Sequence, residues 1–150
     1  MIETIQTPRL LVATLRANTA LKRLGVKVHR GQAPSTATYP YIVFRAYGGN
    51  DLDVIGGEQT GIFSRWIVKT VSRIEQQSDD EQLESVALAM DTALKAVAGT
   101  SFPASPKTPL INCDGFYRES GIDTAYPASD NPKAQLRELG GIYAAYVQAL

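Results

Sequence analysis

The stretch Ile62–Glu75 (IFSRWIVKTVSRIE) constrains the fold more than any other part of the chain. It is the longest run of strand-forming residues, and its two faces differ. Side chains along a strand point alternately to opposite sides, so Ile62, Trp66, Val68 and Ile74 share one face. Phe63, Ile67 and Val71 share the other with Arg65, Lys69 and Arg73. That second face is too apolar for free solvent, which marks it as a contact surface. A helix follows at once. Ser78 reads as its cap, and Glu81 three residues on completes a capping box. Asp79, Asp80 and Glu81 occupy the first turn, where the helix dipole favours anions. Leu83, Val86, Ala87, Met90, Leu94 and Val97 form one apolar stripe, Lys95 lies near the end, and Gly99 closes the helix.

Thr7-Pro8 reads as the N-cap and first position of an opening helix, with Leu10, Leu11, Leu15, Leu21 and Leu24 at helical spacing. Gly25 stops it, and Asn18-Thr19 could divide it in two. Val26–Val28 alternates like a short strand, and 31–38 is a polar connection. Tyr39–Tyr47 (YPYIVFRAY) is a strand with Pro40 at its beginning. Residues 48–61 hold five glycines and read as a long flexible loop, a kind that is usually functional or ordered only on binding. Residues 100–109 carry three prolines and form an extended connection. Leu110–Ser120 is a weak strand and 121–133 a polar loop. Ala134–Leu150 has helical composition, but Gly140-Gly141 opposes a helix, and Ile142, Tyr143, Tyr146 and Val147 favour a closing strand with a bulge at the glycine pair. The sum is an α+β fold within one domain, residues 1–150. It has an antiparallel sheet of about four to five strands with two main helices packed on one face.

A chain of 150 residues buries roughly 70% of its unfolded surface, enough for a real core. Fifteen bases balance fifteen acids, which excludes a generally basic nucleic-acid binder. The balance hides an asymmetry. Residues 1–45 hold seven bases and one acid, a surplus of six positive charges, whereas 75–91 hold six acids and no base. The two regions can neutralise each other within the chain, which is the simpler reading, or meet between neighbouring copies. No run of about 18 apolar residues exists, so no membrane span is expected. The first 25 residues carry Glu3, Arg9 and Arg16, so no signal peptide is expected. The single cysteine, Cys113, cannot form an internal disulfide, and a soluble, intracellular protein is the expectation.

The residues offer little chemistry. IGGEQTG lacks the Gly-Lys-Ser/Thr ending of a phosphate-binding loop. Asp51 and Asp53 could share a cation, but calcium wants six to eight oxygens, so a solvated loop is the better reading. His29, the only histidine, has no nearby acid in sequence and reads as structural, as does Cys113. No enzyme, cofactor or metal is expected. Tyr39, Tyr41, Arg45 and Tyr47 add residue types that favour interfaces.

In order, a leucine-rich opening helix leads into VKVHRGQAPSTATYPYIVF, and a glycine-rich loop leads into IFSRWIVKTVSRIE. The helix SDDEQLESVALAMDTALKAV and a last segment rich in Tyr and Ala follow. This arrangement resembles the tail completion, or tail terminator, proteins of long-tailed (siphovirus-like) bacteriophages, over roughly residues 10–98 and 134–150. Its most telling piece is Ala33-Pro34 followed by Tyr39-Pro40-Tyr41-Ile42-Val43-Phe44. The stretch 100–133 is longer and richer in proline than is usual there. The resemblance implies a ring-forming subunit, typically of a hexamer, on the head-proximal end of the tail tube. Such a ring stops tube polymerisation and presents a surface to the head connector or stopper. Genome DNA passes through its centre without sequence-specific contact. It belongs to the tail or neck of the virion and assembles in the bacterial host cytoplasm.

A closed ring needs two different, complementary patches on each copy. The residues expected at subunit or partner contacts are Arg65, Lys69 and Arg73 on the strand, Asp51, Asp53 and Glu58 in the loop, Asp79, Asp80 and Glu81 on the helix, and Tyr39 and Tyr41. Two other readings compete. One is a head-side neck or connector adaptor. The other, more remote, is a small enzyme or ligand-binding module using the 48–61 loop with Asp51, Asp53 or Glu58 as its acids.

Overall fold

The computed structural model describes residues 2–53, 59–103 and 109–150. Three helices, α1 (Ile2–Ala17), α2 (Thr19–Arg23) and α3 (Gln77–Lys95), accompany six strands. The strands are β1 (Lys27–Arg30), β2 (Tyr41–Asp53), β3 (Gln59–Ile74), β4 (Thr100–Phe102), β5 (Ile111–Pro127) and β6 (Gln135–Ala149). They form one sheet in the order β1-β2-β3-β6-β5-β4. Every pairing is antiparallel except β1 with β2, which is parallel. The expected sheet of four to five antiparallel strands with two main helices on one face is therefore replaced by a six-stranded mixed sheet in which strand predominates. Residues 31–40 return the chain to the end of the sheet at which β1 began, so β2 runs alongside β1 where a tight turn would have reversed it.

The strands outgrow the helices. β5 has 17 residues, a span of about 56 Å at 3.3 Å per residue. α3 has 19 residues but covers only about 28 Å at 1.5 Å per residue. The core lies where the two overlap. Leu10, Leu11, Leu15 and Leu21 from α1 and α2, and Leu83, Val86, Met90 and Leu94 from α3, are buried against Ile42, Phe44, Trp66, Val68 and Tyr143 of the sheet. Each such side chain contributes about 1.5–3 kcal/mol by leaving water.

Several boundaries differ from those read in the sequence, each for a local reason. α1 begins before Thr7, which sits inside the helix and donates its hydroxyl to the Glu3 carbonyl at 2.6 Å. Asn18 does separate two helices: its side chain accepts from the Leu21 N–H at 3.0 Å and caps α2. α3 starts one residue before Ser78, and its cap lies two residues before it. The Asp79 carboxylate reaches back to accept from the N–H groups of Glu75 and Gln76, so Gln76 takes the cap position. The glycine-rich stretch is largely strand: β2 runs through Asp53 and β3 starts at Gln59, with Gly48 opposite Arg65 after a register shift. Residues 54–58 of the expected loop lie outside the described residues. In the expected proline-rich connection, Thr100–Phe102 pairs with Ile111–Cys113. The expected loop 121–133 is strand as far as Pro127.

Gly140-Gly141 makes no bulge, and β6 pairs with β3 without a break from Gln135 to Val147. The glycines are there for space. A Cβ on Gly140 would lie 2.1 Å from the Val68 carbonyl oxygen, and one on Gly141 would lie 2.6 Å from that of Ser120. The register shifts fall in β5, at Cys113/Gly115 and Arg118/Ser120.

Candidate assembly surface

Register fixes what shares the sheet face turned away from the buried Trp66, Val68 and Tyr143. Phe63 lies opposite Tyr146, Arg65 opposite Ala144, Ile67 opposite Ile142, Lys69 opposite Gly140, Val71 opposite Glu138 and Arg73 opposite Leu136. Tyr41 and Val43 of β2 join this face through Val71 and Lys69. Tyr117, Ile122 and Tyr126 of β5 join it through Ala144, Gly140 and Leu136.

The three bases of β3 form one row, and each is answered within the subunit. Arg65 donates to Glu119 at 2.8 Å and lies 4.5 Å from the centre of the Phe63 ring. Lys69 donates to Glu138 at 2.9 Å. Arg73 donates to both Asp130 oxygens, at 2.8 and 2.7 Å, and to Glu75 at 2.8 Å. The Lys69–Glu138 pair is the most enclosed, with side chains 22% and 16% exposed. The Glu138 carboxylate also accepts from Thr124 and Tyr126, both at 3.3 Å. Burial and the nearby Glu138 charge raise the pKa of the Tyr126 phenol, and burial with the charges of Tyr39 and Glu138 raises that of Tyr41. The row is thus a ladder of compensated charges and presents little net charge to its surroundings.

Tyrosine dominates what remains. Phe63 packs on Tyr146 with ring centres 4.7 Å apart, Tyr117 stacks on Tyr146 at 6.4 Å, and Tyr39 stacks on Tyr41 at 5.6 Å. Tyr39, Tyr47, Tyr117, Tyr126 and Tyr146 are all exposed. Exposed rings of this kind, rigid and half polar, are the residues on which protein interfaces are built.

The sheet also has open edges. β4 pairs with β5 only at Ile111–Cys113, leaving the outer side of β5 from Asp114 to Pro127 without a strand neighbour among the described residues. β1 covers β2 only at Tyr41–Phe44, so the outer side of β2 from Arg45 to Asp53 also has no strand neighbour among the described residues. Long open edges are templates for further pairing.

The other residues marked in the sequence are dispersed. Asp79 is spent on the start of α3. Asp80 bonds Arg137 at 2.8 Å. The exposed Glu81 accepts from Gln77 at 3.4 Å. Asp51 and Asp53 sit on β2 opposite Ile62 and Gln59. Glu58 lies outside the described residues. Sequence reasoning missed Glu119, Glu138, Tyr117, Tyr126 and Tyr146. Their partners lie 12–83 positions away, so no local pattern in the sequence points to them.

Among the described residues no three of His, Cys, Asp or Glu stand together as a metal site. Burial pushes the Cys113 thiol up to about 11. Asp91 accepts from the buried Tyr143 hydroxyl at 2.8 Å and pairs with Lys95 at 2.8 Å. No described helix is long and apolar enough to cross a membrane.

No protein-family model matches the sequence, and no curated protein does either. Among solved structures, the fold is similar to that of a chain from the virion of a native gene transfer agent particle. The TM-score is 0.55 at 17% identity, over 92% of this chain and 91% of that one. The likeness spans the whole architecture and establishes that the chain has a fold found in a virion component.

Proposed function

We propose that this chain is a structural subunit of a phage-type virion: a tail terminator that forms a ring, six-fold by analogy, on the head-proximal end of the tail tube. The reading is one of assembly, without catalysis. The observation that carries it is the set of exposed tyrosines and open strand edges on the sheet. A face rich in tyrosine and two long open edges are liabilities in a solitary protein and useful in one that meets copies of itself and a tube. Fold similarity to a virion chain supports the same reading. So does the earlier resemblance to tail terminators, which implies the tube below and the head connector above as partners, and DNA in the lumen.

Electron microscopy of the purified protein, with light-scattering mass on the same sample and again after mixing with tube protein, tests it. Rings with an axial hole, alone or seated on tube ends, are the expected result. A protein that stays monomeric and leaves tube length unchanged overturns the reading. Affinity for the head connector without affinity for tube protein moves the chain to the head-side adaptor.

A further inference from the structure

We propose that copies of this chain join head to tail through two oppositely charged surfaces. One is a basic corner built from the end of α1, α2 and β1. The other is the acidic start of α3 with the adjoining part of β5. The proposal rests on the ring reading above and names the contact that would close the ring.

The charges of this chain are used unevenly. Arg65, Lys69, Arg73, Lys95, Arg118 and Arg137 each have a carboxylate within 4.0 Å. Arg9, Arg16, Lys22, Arg23, Lys27, Arg30 and Arg45 have none among the described residues. The simple expectation that the basic front neutralises the acidic middle within one subunit is not met by any direct ion pair among the described residues. Arg16, Lys22 and Lys27 instead line one recess of about 450 Å³ together with His29. The Nε2 atom of His29 is out of solvent and has no hydrogen-bond partner. A carboxylate entering this recess meets Arg16, Lys22 and Lys27, none of which has a carboxylate within 4.0 Å among the described residues.

The acidic surface has the opposite imbalance. Asp80, Glu84 and Asp123 all converge on Arg137, at 2.8, 3.3 and 3.1 Å, so three carboxylates share one guanidinium. Glu81, exposed on the same turn of α3, adds to the surplus. Each surface also shows one apolar side chain to solvent, Leu24 beside the basic corner and Leu88 on α3. Free cations on one patch and surplus carboxylates on another give the two unlike, complementary patches that head-to-tail assembly requires. A phosphate backbone would use the basic corner alone and leave the acidic surface without a role. A second copy uses both.

Charge exchange tests this directly. One variant carries R16E, K22E and K27E. The other carries E81K, E84K and D123K, with Asp80 kept so that Arg137 retains a partner. Both are checked for native circular dichroism and a cooperative melt. Each alone is expected to assemble at least about tenfold more weakly than wild type, in mass photometry and on tube ends. An equimolar mixture of the two should recover assembly, since each reversed patch then faces a complementary one. A single chain carrying all six changes should recover it as well. Wild-type assembly should weaken as salt is raised from about 0.1 to 0.5 M. The proposal is overturned if either three-fold variant assembles like wild type, or if the mixture and the six-fold variant both stay apart while folded. Loss of duplex DNA binding by the R16E/K22E/K27E variant with assembly intact assigns the corner to phosphate and also overturns it. A wild-type protein that never assembles removes the ring reading itself.

Discussion

Replacing Gly140 with alanine should break the sheet at its centre. The added Cβ would lie 2.1 Å from the Val68 carbonyl oxygen and 2.6 Å from the Lys69 Cα, where ordinary contact begins at 3.4 Å. The offending atoms are backbone, so no side chain can swing aside. β3 and β6 must part by about 1 Å in the middle of an unbroken ladder that runs from Ile62 to Ile74. About two ladder hydrogen bonds are then lost or stretched, at about 1 kcal/mol each. Val68 is wholly buried, so its movement disturbs the core as well, and overpacking adds about 1–3 kcal/mol. The expected loss is about 3–5 kcal/mol, a large part of a typical domain's stability. At about 2–4 °C per kcal/mol, that is a fall of about 6–20 °C in Tm. Gly48 and Gly121 are the controls. A Cβ at either meets nothing within 4 Å, so their alanine variants should stay within about 0.5 kcal/mol of wild type. Urea unfolding followed by circular dichroism, with the three variants side by side, measures this. If Gly140→Ala lies within about 1 kcal/mol of wild type at unchanged m-value, the close approach of β3 and β6 is wrong.

Two further outcomes follow from buried groups. Burial alone would raise the Asp91 pKa, but hydrogen bonds from Lys95 and Tyr143 and the Arg118 charge outweigh it, so the net shift is downward. Asp91 therefore stabilises the fold above the usual carboxylate range and loses that contribution as pH falls through its lowered value. Asp91→Asn should cost about 1–3 kcal/mol at pH 7 and progressively less as pH drops below about 4, read from urea midpoints against pH. Cys113 is 1% exposed and its thiol is held near 11, so a disulfide reagent at pH 8 should label it only at the rate of unfolding. Rapid labelling of the native protein would contradict the placement of β5 against the helices.

Much of the helical part was legible because its signals are local. The apolar stripe of α3 needs only the 3.6-residue period, and the divide at Asn18 needs only a side chain that reaches three residues on. The alternation of β3 was legible for the same reason, as a period of two written within one segment. What failed was long-range. Glycine and proline argue against strands when a segment is judged alone, which made loops of 48–53 and 121–127. In the fold those residues are held by partners across the ladder, Gly48 opposite Arg65 and Tyr126 opposite Leu136. Gly140-Gly141 is the sharpest case. A glycine pair in a strand permits two explanations, a kink in its own strand or the close passage of a neighbour. Only the position of Val68 and Ser120 decides between them.

The outer face of the sheet was half legible for a related reason. The Arg65–Lys69–Arg73 row could be read as free charge, since its partners Glu119, Glu138 and Asp130 lie 54, 69 and 57 positions further on. Once those partners are in place, the row no longer offers net charge, and six of the bases left over among the described residues belong to α1, α2 and β1. Free charge thus moves from the strand where the sequence displays it to a corner where five bases stand on separate short elements. A charge count along the chain locates the surplus but not its solvent face. That face depends on which carboxylates the sheet folds onto the other bases first, and so the basic corner becomes visible only as what the ion pairs of the sheet leave unused.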